Sequence, residues 1–229
     1  MNLFFRIKKI EMNKIVLLNE PSNYRWFVLL NEPSVIRWLF GDLSFIVLSH
    51  QKNKTIEKKQ KEDEWGKKML NLKNPDLKIN KQWTNKFGEQ VVEEMFQLQG
   101  IETKKYVKKN NFILDLVTPN EQIEVKTGTY YTSGTAHEKI IGTPIKYSSI
   151  PDSDNPLNIV LVGYTEKICR DKYGLLSGDK CTSKIQEYID FINKWNIYYI
   201  PFTQMLSENS HLFDKPIREI IQSYSKNNL

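Results

Sequence analysis

The stretch that decides the fold runs from residue 112 to 127, FILDLVTPNEQIEVKT. Phe112-Ile113-Leu114-Asp115-Leu116-Val117 and Ile123-Glu124-Val125-Lys126-Thr127 read as two strands. Between them, Thr118-Pro119-Asn120-Glu121 has turn chemistry, so the pair is expected as a β-hairpin. Side chains alternate across a strand. Ile123 and Val125 therefore point one way, and Glu124 and Lys126 the other. Asp115 is an isolated acid in an apolar strand, costly to bury unless it is paired or ligates a cation. Hairpin pairing brings it to within a few residues of the position opposite Glu124.

Upstream, Trp83, Phe87, Val91, Val92, Met95, Phe96 and Leu98 recur at steps of three and four. This predicts an amphipathic helix over 82–99 that stops at Gly100. Glu89 lies on a face of that helix that also carries core residues. Lys104, Lys105, Lys108 and Lys109 surround Tyr106-Val107 in a basic, extended segment over 102–109. Downstream, LNIVLVGY at 157–164 is an apolar run expected of a strand buried on both faces. A helix over 182–195 follows, with Ile185, Tyr188, Ile189, Ile192 and Trp195 on one stripe. A strand then covers 197–200, and a last helix, capped by Asp214, buries Ile217, Ile220 and Ile221. The order predicts a mixed α/β sheet flanked by helices.

Composition frames this pattern. The 229 residues carry 33 Lys and Arg against 27 Asp and Glu, a net charge of +6, with 40% hydrophobic residues. The balance excludes disordered and collagen-like chains and permits a polyanionic partner without demanding one. No apolar stretch is long enough for a membrane span: charges and prolines at Asn19-Glu20-Pro21, Arg25, Asn31-Glu32-Pro33, Arg37 and Asp42 interrupt residues 15–48. The two cysteines, Cys169 and Cys181, are too few for a disulfide framework and lack nearby histidines for zinc, so they read as free thiols in a cytoplasmic protein. His50 and His211 have no obvious partner. Nucleotide-binding glycine motifs and a Ser/His/Asp arrangement are not evident.

Residues 15–26 (IVLLNEPSNYRW) and 27–38 (FVLLNEPSVIRW) form a tandem repeat of period 12. Two copies are too few for a solenoid, so a local duplication is the plainer reading, and Met12 is an alternative start. The charged stretch 51–68 then reads as a linker or exposed helix. These features divide the chain into an extension, 1–60, and a main domain, 61–229.

Each acidic residue alone is unremarkable: a Glu-x-Lys on a strand is usually a solvated cross-strand pair, and helices are full of glutamates. The order helix-Glu89, strand-Asp115, strand-Glu124-Val125-Lys126 is more specific. It resembles the PD-(D/E)XK nucleases, although Leu114 stands where the motif has proline. The resemblance implies a restriction-endonuclease-like α-β-β-β-α-β core. It also implies Asp115 and Glu124 as carboxylates for Mg²⁺, Lys126 as the catalytic lysine, and Glu89 as a further acid that reaches the ion directly or through water. Oxygen donors of this kind suit Mg²⁺, which can activate water and neutralise a phosphate.

Residues 127–142 (TGTYYTSGTAHEKIIG), with Pro144, Lys146-Tyr147 and Ile150-Pro151, are similar to segments of type II restriction endonucleases. The expected function is site-specific cleavage of double-stranded DNA by a homodimer, with a cognate DNA methyltransferase as a possible companion. Lys104, Lys105, Thr132, Ser133, His137 and Lys139 are the candidate DNA contacts, since amines, hydroxyls and imidazole donate to phosphates and base edges. A structure-specific repair or recombination nuclease and a non-catalytic DNA-binding module are the alternatives.

Overall fold

The structure, a computed structural model, describes residues 83–128, 139–176 and 178–213, with scattered positions between 60 and 76 and between 215 and 222. All of these belong to one compact unit, Pro33–Leu229. The repeat over 15–38, the boundary expected after residue 60, Asp214, Ile217 and Ile220 lie outside the described residues.

The helix α1 (Trp83–Leu98) leads into a hairpin pair, β1 (Lys104–Lys109) and β2 (Phe112–Val117), then β3 (Gln122–Gly128). There follow α2 (Lys139–Lys146), β4 (Leu157–Gly163), α3 (Tyr164–Asp171), α4 (Ser183–Asn193), β5 (Ile197–Pro201) and α5 (Phe202–Glu208). The strands form one mixed sheet in the order β1-β2-β3-β4-β5. Its β1–β3 side is antiparallel, and β3, β4 and β5 run parallel. The expected α/β class, with helices flanking a mixed sheet, is what the chain adopts.

Local chemistry accounts for the connections. Asn110 and Asn111 both take positive φ, 47° and 66°, as a two-residue primed turn requires and asparagine tolerates. The Thr118 hydroxyl accepts from the amides of Asn120 and Glu121, which closes the β2–β3 turn. Where parallel strands need a crossover, α2 and the pair α3/α4 supply it.

Strand β4 shows why the sheet carries two cores. Its Val160 and Val162 pack with Ile123, Val125 and the α1 residues Trp83, Phe87, Val91, Val92 and Met95. Its Leu157, Ile159 and Leu161 pack on the other face with Ile140, Tyr147, Ile150 and Cys169. At ~25 cal/mol per Å² of apolar surface buried, these two layers supply most of the stabilisation. Helix α1 seats closely on β3 because residue 88 is glycine: a Cβ there would stand 1.5 Å from Thr127 Oγ1.

Sequence patterning does not foresee α2, because it contains Gly142, Thr143 and Pro144. The proline removes one amide donor and leaves a carbonyl free. The phenol of Tyr199 donates to Ile140 O at 2.9 Å, and that of Tyr188 to Ile141 O at 2.6 Å. Tertiary hydrogen bonds thus replace what the helix gives up, and they pin α2 to β5 and α4. Helix α3 is likewise anchored from outside: its buried Glu166 accepts from the amide and the hydroxyl of Thr203 at the start of α5. Cys169 is buried and Cys181 half-buried, both free. Among the described residues no helix is long and apolar enough to cross a membrane.

Candidate active site

Three of the polar residues singled out by the sequence, Asp115, Glu124 and Lys126, converge where the sheet's regular pairing fails. On β1 and β2, Lys105 faces Leu116 and Val107 faces Leu114. The intervening positions, Tyr106 and Asp115, oppose each other by register but form no ladder pair. Tyr106 has φ 54°, which costs a non-glycine strand residue about 1–3 kcal/mol. Leu114 and Leu116, two apart, should share a face. They fall instead in opposite cores, so β2 turns over at Asp115.

The β2–β3 hairpin breaks at the same point. Leu116 faces Ile123 and Val117 faces Gln122, so one further step sets Asp115 opposite Glu124. Pairing stops there, and the Asp115 side chain takes over: its Oδ2 accepts from Val125 N at 2.8 Å. Glu124 and Lys126 lie across from Ile159 and Leu161, facing the second core, as the alternation predicts. Lys126 Nζ donates to Glu124 Oε1 at 2.5 Å. Glu124 is 5% exposed, and its Oε2 is buried without a hydrogen-bond partner.

Burial, followed by the charge of Glu124, raises the Asp115 pKa to about 7. Glu89 raises it further, while the Val125 amide and Lys126 pull it down. Asp115 therefore senses both layers of the fold: Glu89 stands on α1, over the first core, and Glu124 faces the second. The break in the ladder is where the two meet.

Tyr147, 2% exposed, follows α2 and brings a phenol to the same cluster. Burial and then the Glu124 carboxylate push its pKa up, with Asp115 adding to the effect, so it stays neutral. Its oxygen accepts from Lys146 Nζ at 2.8 Å.

Glu89 is near this group but otherwise engaged. Lys86 Nζ donates to its two oxygens at 3.1 and 3.0 Å, and the Tyr106 hydroxyl donates to Oε2 at 2.5 Å. Among the described residues no group of three or more His, Cys, Asp or Glu side chains is gathered to hold a metal ion. Asp115 and Glu124 still fit a divalent cation as a pair. Both are hard oxygen donors, one oxygen lacks a partner, and their mutual repulsion is the kind a cation removes.

The candidate DNA contacts divide three ways. Lys104 is exposed on the edge strand, and Lys139 is exposed at the start of α2. Lys105 is half-buried and ion-paired with Glu93 at 2.6 Å. Thr132, Ser133 and His137 lie outside the described residues. Sequence reading missed Lys86, Tyr106 and Tyr147 as site residues. Tyr106 did carry a signal, as the lone aromatic among the lysines of β1.

Comparison with protein-family models, with curated proteins and with solved structures finds no match.

Proposed function

We propose that this chain is a Mg²⁺-dependent endonuclease that hydrolyses phosphodiester bonds of double-stranded DNA, in the manner of type II restriction enzymes with a PD-(D/E)XK core. One observation carries the reading: Asp115, Glu124 and Lys126 come together at a break in the sheet, with Asp115 raised to about pH 7 by burial and by Glu124. A carboxyl perturbed by burial together with a specific charged neighbour, beside a lysine, is the arrangement from which acid–base and metal chemistry is built.

Asp115 and Glu124 would hold the ion, with Glu89 as a third donor. A divalent cation held there would supply charge to neutralise the phosphate and the leaving oxygen and would lower the pKa of water. Lys126, partly exposed beside Glu124, presents an ammonium that can orient the attacking water or offset charge on the phosphate. Tyr147, a neutral phenol near Glu124, excludes water from the inner side and fixes that carboxylate's surroundings. The exposed Lys104 and Lys139 supply backbone contacts that carry no sequence information. One such site cuts one strand, so a symmetric duplex target calls for a two-fold homodimer. A cytoplasmic nuclease of this kind also calls for protection of the cell's own DNA, which a methyltransferase of matching specificity provides.

The test is incubation of the purified full chain with unmethylated plasmid and phage DNA, with and without Mg²⁺. Discrete bands that require Mg²⁺ are expected. Cleavage confined to branched DNA would move the reading to a repair or recombination nuclease. Salt-sensitive binding with no cleavage of any DNA would overturn the enzymatic reading.

A further inference from the structure

Among the described residues two groups, Lys86 and Tyr106, make the hydrogen bonds of the Glu89 carboxylate. Its Oε1 takes the Lys86 ammonium, and its Oε2 takes both Lys86 and the Tyr106 hydroxyl. Lys86 Nζ also donates to the Tyr106 oxygen at 2.6 Å and lies 4.4 Å from the centre of its ring. Tyr106 reaches this position only by adopting φ 54° in mid-strand, directly opposite Asp115. An unfavourable backbone is thus kept at the one place where it turns a phenol onto the helix carboxylate.

The two donors are not sealed in. Lys86 is 36% exposed along its side chain and Tyr106 is 47% exposed. An ammonium beside a phenolic hydroxyl at the surface is a good pair of phosphate donors. Burial lowers the Lys86 pKa, but its bonds to Tyr106 and Glu89 outweigh that, so it remains a cation. Burial and Glu89 raise the Tyr106 pKa, so it remains a neutral donor.

We propose that Lys86 and Tyr106 form a latch that holds Glu89 away from Asp115 and Glu124, and that a DNA backbone phosphate releases it by drawing off the two donors. Released, the carboxylate joins the other two at the cation. This rests on the nuclease reading of the site. Its consequence is that metal and DNA bind cooperatively, because each favours the arrangement the other needs. In the absence of DNA the latched form predominates, and metal affinity is reduced by the fraction of molecules in which Glu89 is free.

The experiment is titration of the full chain with Mn²⁺, as a stand-in for Mg²⁺, reading free Mn²⁺ by electron paramagnetic resonance. Tyr106→Phe and Lys86→Met should each bind Mn²⁺ roughly fivefold tighter than the parent without DNA, and the double variant about tenfold tighter or more. A short phosphorothioate duplex should tighten Mn²⁺ binding in the parent and do so less in the variants. A gain in affinity is not what misfolding produces. Unchanged or weaker Mn²⁺ binding in both variants, with binding lost in Asp115→Asn, would overturn the latch and leave the metal site standing. If Asp115→Asn binds Mn²⁺ like the parent, the cation is not held there and the nuclease reading fails along with the latch.

Discussion

The two halves of the sheet are built by opposite rules. In the parallel half, β3, β4 and β5 pair without interruption and β4 buries apolar residues on both faces. In the antiparallel half, pairing lapses at Tyr106 and Asp115, a residue takes positive φ, and two leucines of one strand enter different cores. The regular half supplies stability. The irregular half carries the strained Tyr106 and the buried Asp115, and the regular half, through β3, sustains the cost of holding Asp115 close to Glu124. A site of this kind needs a rigid frame beside it, because strained backbone and crowded carboxylates survive only where the surroundings over-determine them.

That contrast can be broken from either side. Leu161, fully buried in β4, should be the most sensitive position: Leu161→Ala is expected to cost about 3 kcal/mol, read as the midpoint of urea unfolding. A loss below roughly 1 kcal/mol would show that the parallel half is not the frame.

Next is the seat of α1. Gly88→Ala should cost about 2 kcal/mol, since its methyl would collide with Thr127 Oγ1. Thr127→Ala should recover part of that loss, because it removes the atom in the way along with a buried hydroxyl that has no hydrogen-bond partner. Simple additivity in this double-mutant cycle would place the clash elsewhere.

The irregular half should respond with the opposite sign. The folded chain holds the Asp115 proton up to about pH 7, whereas the ordinary carboxyl loses it near 3.8. Between those values the unfolded chain binds fewer protons, so stability falls as pH rises. Asp115→Asn keeps an acceptor for Val125 N and removes the charge. It should therefore exceed the parent by about 1–3 kcal/mol at pH 8 in chelator, with the difference vanishing below about pH 4. Adding Mg²⁺ at pH 8 should stabilise the parent and not the variant. A destabilised Asn variant at pH 8 would mean that Asp115 is paired rather than crowded.

The sequence was most legible where the fold is regular. The 3.6-residue spacing from Trp83 to Leu98 places α1 to within a residue at each end, and the near-continuous apolar run at 157–164 announces β4. Alternation along 123–127 also separates Glu124 and Lys126 from Ile123 and Val125, which is how they are disposed. The rest depends on contacts between distant segments. Pro144 and Gly142 speak against a helix, and α2 forms because Tyr188 and Tyr199 satisfy its carbonyls. Tyr106 meets Glu89 through a backbone angle that no local pattern of residues encodes. Glu166 is held by Thr203, which comes in from the start of α5, a contact between segments far apart in the chain.

The most direct test of the central claim compares single-turnover cleavage of duplex DNA in Mg²⁺ by the parent, Glu124→Gln and Lys126→Met. The account predicts rates reduced by about a thousandfold or more in both variants, with DNA binding and circular dichroism unchanged. Cleavage by Glu124→Gln within a few-fold of the parent would contradict it.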